Sequence, residues 1–429
     1  MANLPMSRPD LMLAQYDERY STANTFAYLG GKSILRVAGG QNFMRSDDGG
    51  LTWGEPWRCA GVEGKPIDHA HSLIKLEGDS VGLGETWIPE NKTYKSKIAF
   101  RRSNDGGKTW EKAAIISPEN LMGFAFASSL IRTSSGRLIY PMYGGVGQGR
   151  WRAKNAPFPG GLVGGQFVTT DAHFFDPHFA YAYVMLSDDD GRTWRQNECG
   201  ELVIHVGSCF MAHATEPSVA EVEPGRLLMF VRTQLGRLYQ SWSEDDGNTW
   251  SRLQPTALAS SPSPARLLRV PDTGHLICIW NQHSPDEIKR GFIRSRLSAA
   301  VSRSKGAVWE FYQNVESIHE ETRVAPGPIE HVHPQQLYTL AGKPAEEWDT
   351  QYVVELPAGY ARYSNNTACM CGDRVVVNYS TIYYDELGEE HNRHANRVKV
   401  LPLEWFYNGL DRFKSRFVLD KVTAIPPGP

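Results

Sequence analysis

Histidine exchanges protons near neutral pH, and three short segments set it beside an acid or a second histidine. PIDHAHSLIKL puts His69 and His71 at i and i+2, on one side of an extended segment, with Asp68 next to them. AHATEPS holds His213 close to Glu216, and EHVHPQQ holds His331 and His333. An imidazole in such company can serve as general acid or base. It can equally be a packing residue satisfied by one hydrogen bond. A His-x-His pair also suits a metal, but no third ligand follows at a usual spacing, so the sequence implies neither metal nor cofactor.

The elements that must position these groups are hairpins. Six segments read as a short strand, a Gly-containing turn and a continuous apolar strand: TANTFAYLGGKSILRV, HSLIKLEGDSVGLGETW, SSLIRTSSGRLIYPMY, EPSVAEVEPGRLLMFVR, SPARLLRVPDTGHLICIW and YSNNTACMCGDRVVVNYS. Between them runs a turn of pattern Ser-x-Asp-x-Gly-x-Thr-Trp, found as SDDGGLTW from Ser46, SNDGGKTW from Ser103, SDDDGRTW from Ser187 and SEDDGNTW from Ser243. A fifth copy, SRSKGAVW from Ser302, keeps Ser, Gly and Trp without the Asp and Thr. The carboxylate accepts turn N–H groups, the Gly takes positive φ, and the Trp anchors the returning strand. Six inner hairpins with five outer turns predict an all-β, six-bladed β-propeller formed by the whole chain, 1–429, as one domain. RVKVLPLEWFYN is expected to complete the sixth blade, with the N-terminus closing the ring. Two stretches are too long for simple turns, about 144–180 and 310–360, and are expected to shape the mouth of a site.

A net charge of −3 without a long basic run argues against nucleic acid or an anionic membrane surface as partner. No apolar stretch is long enough to predict a membrane helix, and the first residues lack a leader's charged and apolar regions. Six scattered cysteines are too few to staple the chain. Cys278 in LICIW is expected to be a buried thiol, and Cys369 and Cys371 on one strand face make poor disulfide partners. A cytoplasmic location follows from this reading, or a secreted one if a leader has been removed. Composition leaves the oligomeric state open.

The Asp-turns and hairpins, over roughly residues 20–405, resemble the sialidase and neuraminidase superfamily, six-bladed propellers with a site at one end of the channel. The resemblance implies site residues at several positions. TEPSVAEVEPGRLLMFVR is similar to the family's Glu opening one blade and Arg closing the next strand, which gives Glu216 and Arg232. RSRLSAAVS supplies Arg294 where a second arginine is expected. RYSNNTACMCGDRVVV offers Tyr363, with Ser364, as the nucleophilic tyrosine of the last blade. The first blade departs from the family: DERYSTANTFAYL has only Arg19 where an Arg-Ile-Pro motif belongs, and RVAGGQNFM is too short for the loop that carries the acid Asp.

These residues imply an exo-acting glycoside hydrolase for a carboxylate-bearing sugar, sialic-acid-like or a uronate. Arg232, Arg294 and Arg19 would bind the carboxylate with help from His69 and His213. Glu216 would polarise Tyr363, and His71 or Asp68 would donate the proton. A polysaccharide lyase acting by β-elimination at a uronic acid is the alternative, and a non-catalytic sugar-binding propeller is a third. Trp87 and Trp151 are available to stack on a sugar face, although propeller tryptophans more often pack between blades.

Overall fold

The computed structural model describes residues 13–17, 24–60, 67, 69–87, 96–146, 160–163, 166–169, 179–206, 210–289, 292, 294–329, 360–384 and 390–413. Arg19, Asp68, Trp151, His331 and His333 lie outside the described residues.

Local chemistry in the Asp-turns explains why the chain doubles back where it does. Ser46 Oγ donates to Asp48 Oδ1 at 2.8 Å, and the same carboxylate accepts the N–H groups of Leu51 and Thr52 at 3.0 and 2.9 Å. Thr52 Oγ1 closes the turn on Asp48 Oδ2 at 2.6 Å, while Gly50, at φ 90°, donates its N–H to Ser46 Oγ. Asp105, Asp189 and Asp245 make the same Ser and Thr contacts. In the degenerate fifth turn Ser304 Oγ accepts the N–H of Val308 at 2.8 Å, so a hydroxyl replaces part of the missing carboxylate. Burial pushes the first three carboxyls up, but the Thr, backbone and Ser hydrogen bonds outweigh it and hold Asp48, Asp105 and Asp189 at about 2.

These turns and the hairpins build six antiparallel sheets, one per blade. Blade one comprises Thr25–Gly30, Ser33–Ala38 and Asn42–Ser46. Blade two runs from Ala70–Lys75 through Val81–Trp87 and Lys97–Ser103 to Ala114–Ile115. In blade three, Ile131–Arg132, Leu138–Val146, Phe179–Ser187 and Arg195–Gln196 lie side by side. Blade four contains Thr215–Glu223, Arg226–Arg232, Arg237–Ser243 and Gln254–Ala259, and blade five Arg266–Arg269, Leu276–Asn281, Arg296–Ser302 and Glu310–Ser317. Blade six is made of Ala361–Cys371, Arg374–Tyr384 and Glu390–Pro402, and its outermost strand is Leu13–Asp17 from the start of the chain. The ring is therefore closed by pairing the two ends, with Leu13 opposite Val400 and Asp17 opposite Asn396. Of the segment expected to complete this blade, 397–402 is strand, and Leu403–Phe406 forms a short helix that buries Leu403, Trp405 and Phe406.

The core is a set of wedges between adjacent blades. Cys278 and Trp280 of blade five, both fully buried, pack with Leu228 and Phe230 of blade four. Tyr379 and Val377 of blade six pack with Ile279 and Leu297 of blade five. Cys369 and Cys371 are free thiols. The two long stretches are shorter than expected. The strands of blade three pair as far as Val146 with Phe179, and Glu310–Ser317 is the outer strand of blade five. No helix among the described residues is long and apolar enough to cross a membrane.

Replacing Asp245 by Ala removes the hydrogen bonds to Ser243 and Thr249 and is expected to cost about 1–2 kcal/mol, read as a lower urea midpoint at pH 7. Because Asp48, Asp105 and Asp189 are held below their unfolded value, their contribution is full above about pH 4. It is lost as pH falls through about 2.

Candidate active site

All inner strands run in the same sense, so their first residues meet at one end of the channel. There the chain is repeatedly forced into the left-handed region: His69 at φ 54°, Ser128 at 58°, Glu216 at 47° and Asn365 at 56°. Register shifts accompany it between Ala70 and Ser72, Thr215 and Ser218, and Ser364 and Thr367. Non-glycine residues persist in such conformations only where the surroundings over-determine them, and such strain collects at functional sites.

Glu216 and Arg232 face each other across blade four, Oε1 to Nη1 at 2.9 Å, with both side chains buried. The second carboxylate oxygen, Oε2, is buried with no hydrogen-bond partner. A buried pair of this kind contributes little net stability, because desolvation offsets its attraction. Its value is a charged acceptor held in a fixed position. Tyr143, from the second strand of blade three, lies within the field of both charges. Burial raises its phenol well above the ordinary value, Glu216 adds to the rise and Arg232 opposes it. Beside the pair, the buried His213 takes a 2.6 Å contact from Gln234 Nε2 to its Nδ1, while the His213 N–H donates to Gln234 Oε1. An amide donating to Nδ1 places the ring proton on Nε2.

A second group gathers where blades five and six meet. The Tyr363 N–H donates to the Arg294 carbonyl at 2.8 Å, and Asn281 Nδ2 donates to the Tyr363 carbonyl at 2.8 Å. Half-buried Arg294, itself at φ 56°, directs Nη2 to the Pro262 carbonyl at 3.2 Å and Nη1 to Asn365 Oδ1 at 3.4 Å. The Tyr363 ring is 2% exposed and stands edge-on to Tyr379, with centroids 6.2 Å apart. Glu216, Arg232 and His213 thus gather on blade four, and Arg294 and Tyr363 where blade five meets blade six.

His69 and His71 do not share an environment. His69 is exposed, whereas His71 is turned between blades two and three, its Nδ1 3.2 Å from the Tyr140 hydroxyl and its Nε2 buried without a partner. Burial, with a smaller push from His69, lowers the His71 pKa to about 3, so the ring is neutral near pH 7. Trp87 is 51% exposed at the end of its strand.

Sequence reasoning missed Tyr143 and Asn281, yet a signal was present. GRLIYPMY, GRLLMFVR and GHLICIWN begin at Gly136, Gly225 and Gly274, and their last residues are Tyr143, Arg232 and Asn281. One register position therefore delivers a polar group to the mouth from three successive blades. Also missed was a buried chain behind Arg294. Ser295 Oγ lies 2.6 Å from His283 Nε2 and 2.7 Å from His319 Nε2, and Glu287 pairs with Arg296 at 3.1 Å. Glu287, Arg296 and His319 line a cavity of about 490 Å³. Burial pulls His283 down to about 3. With Ser295 wholly buried, this chain braces the strand that carries Arg294.

The fold is that of a six-bladed propeller of the sialidase-like kind. The family model described as a BNR repeat-like domain matches residues 43–352, and the chain belongs to that family. Among solved structures, a protein of unknown function from Dyadobacter fermentans is 15% identical with a TM-score of 0.51, the match covering 91% of this chain and 98% of that one. The K499G mutant of NanB sialidase from Streptococcus pneumoniae is 12% identical at TM-score 0.53, covering 94% and 72%. The Hadza microbial sialidase Hz136 is 16% identical at 0.51, covering 90% and 67%. At such identities the likeness establishes the fold. No curated protein matches the sequence.

Arg232→Ala strands a buried carboxylate and is expected to destabilise the protein by about 3–5 kcal/mol, whereas replacing Arg232 and Glu216 together by Met and Gln should cost much less. Urea unfolding of the two variants makes the comparison. His71 and His283 take up protons on unfolding, so stability is full above about pH 6.5 and declines as pH falls toward 3. Each contributes a slope of up to about 1.4 kcal/mol per pH unit. His71→Gln should remove its share in unfolding curves taken at pH 7.5 and 5.

Proposed function

We propose that the protein is a sialidase-like exo-glycoside hydrolase acting on a sugar that carries a carboxylate. One observation carries this reading. At a strained backbone position Glu216 is held by Arg232, with one oxygen unpartnered and the Tyr143 phenol in its field. Arg294 is the half-buried guanidinium at the same end and would take the substrate carboxylate, with Arg232 and His69 assisting. Glu216 would draw the proton from a tyrosine attacking the anomeric carbon. A neutral phenol suits that attack because it avoids repulsion by the neighbouring carboxylate. Tyr363 is the nucleophile by resemblance, and Tyr143, whose phenol lies in the field of Glu216, is the second candidate. His71, neutral and enclosed between blades, is poorly placed to donate the proton, which leaves Asp68 for that role.

A second reading rests on His213. Held by Gln234 beside Glu216, its imidazole would work with Tyr143 in removing the proton next to a uronate carboxylate, the first step of a lyase.

Turnover of sialosides, ketodeoxy-octulosonate glycosides and uronate oligosaccharides tests both. Hydrolysis releases a reducing sugar, whereas β-elimination creates an unsaturated uronate absorbing at about 235 nm. Glu216→Gln is expected to reduce kcat by about 10²–10⁴-fold. Of Tyr363→Phe and Tyr143→Phe, the nucleophile's variant should fall by a similar factor and the other by far less. Full turnover in Glu216→Gln and both tyrosine variants would remove the site. Undiminished glycan binding without turnover on any substrate would instead indicate a binding propeller.

A further inference from the structure

Five of the six inner strands carry a hydroxyl at one register position: Thr25, Ser72, Ser129, Ser218 and Thr367. Cross-blade bonds tie this position between blades one and two and between four and five, since Leu73 donates its N–H to Thr25 Oγ1 and Leu267 donates its N–H to Ser218 Oγ, both at 3.0 Å. The residue before Leu267 is Arg266, so blade five has a guanidinium where the others have a hydroxyl. Arg266 is 7% exposed. Its Nε reaches the Ala368 carbonyl at 3.4 Å, its Nη1 is buried without a hydrogen-bond partner, and no carboxylate pairs with it among the described residues. Burial draws its pKa down to about 10, partly opposed by Cys369, which leaves it charged at neutral pH.

Arg266 lines a cavity of about 600 Å³ whose walls come from the inner strands of five blades, among them Phe26, Leu73, Leu130, Leu268 and Met370. These residues lie further along their strands than His69, Glu216 and Tyr363, so the cavity belongs to the opposite end of the channel from the candidate active site. Its rim cations are already engaged: Arg132 pairs with Asp190, and Lys75 donates to the Gly78 carbonyl.

An unpaired buried guanidinium costs several kcal/mol unless an acceptor reaches it. We propose that this axial cavity binds a small monocarboxylate with an apolar body, its carboxylate on Arg266 and its hydrocarbon against Phe26, Leu130 and Met370. The planar guanidinium matches a carboxylate in shape. Apolar walls penalise a strongly hydrated dianion, and a bare halide would leave most of the volume lined by hydrocarbon and unfilled. This site is independent of the proposed glycosidase chemistry.

Thermal unfolding of the full chain at constant ionic strength, with acetate, butyrate, hexanoate, chloride or phosphate, tests the assignment. Butyrate and hexanoate should raise Tm saturably by about 2 °C or more, beyond the chloride control. The rise should vanish in Arg266→Met and persist in Arg294→Met, which separates this cavity from the arginine at the mouth. Should Arg266→Met fail to fold, Arg266→Lys keeps the charge without the fork and should weaken the butyrate midpoint by about tenfold. A wild-type Tm indifferent to carboxylates, a larger response to chloride or phosphate, or a butyrate response unchanged in the Arg266 variants would overturn the proposal.

Discussion

The inner edge of a propeller blade has backbone N–H groups and no next strand to receive them. An unpaired edge in a closed channel is costly, and a buried N–H without an acceptor costs about as much as a lost hydrogen bond. Here side-chain hydroxyls take over that role. Thr25 accepts from Leu73, Ser218 from Leu267, and Ser128 accepts the Phe26 N–H while its own hydroxyl lies 3.0 Å from Thr25 Oγ1. These bonds run between blades, so they satisfy part of the edge and fix how far blade one slides against blade two and blade four against blade five. Every group at the mouth depends on that register.

Once the strands are held, the mouth is assembled by position. The ends of second strands contribute Tyr143, Arg232 and Asn281, and the starts of inner strands contribute His69, Glu216 and Tyr363. The left-handed residues at 69, 128, 216 and 365 turn the chain just before it enters the hydroxyl ring. The strain is therefore borne next to the position that carries the hydroxyls.

What could be read from the chain was what a few consecutive residues decide. Ser46, Asp48, Gly50 and Thr52 close their turn among themselves, so a local pattern was sufficient, as it was for six hairpins with apolar second strands. The helix at Leu403–Phe406 was missed because LEWF reads equally as strand or helix until Trp405 and Phe406 are seen to pack against blade six. Side-chain direction at the mouth was the least legible. His69 and His71 alternate correctly with the strand, but the register shift at Ala70 to Ser72 separates them, sending one to solvent and the other against Tyr140. Periodicity cannot foresee a bulge.

Ring closure links these levels. Leu13–Asp17 completes blade six, whose inner strand carries Tyr363 and Asn365, so the start of the chain holds in place residues some 350 positions later. Blade six meets blade five through Tyr363, whose backbone is bonded on one side to Arg294 and on the other to Asn281. Blade five in turn meets blade four where Ser260 donates its N–H to Gly236 and Ser261 to Asn281. A loss of closure at the N-terminal strand would therefore reach Arg294 through the backbone bond from Tyr363, without any change in the side chains of the mouth. Circular continuity is as much a requirement for the mouth on this fold as the side chains that line it.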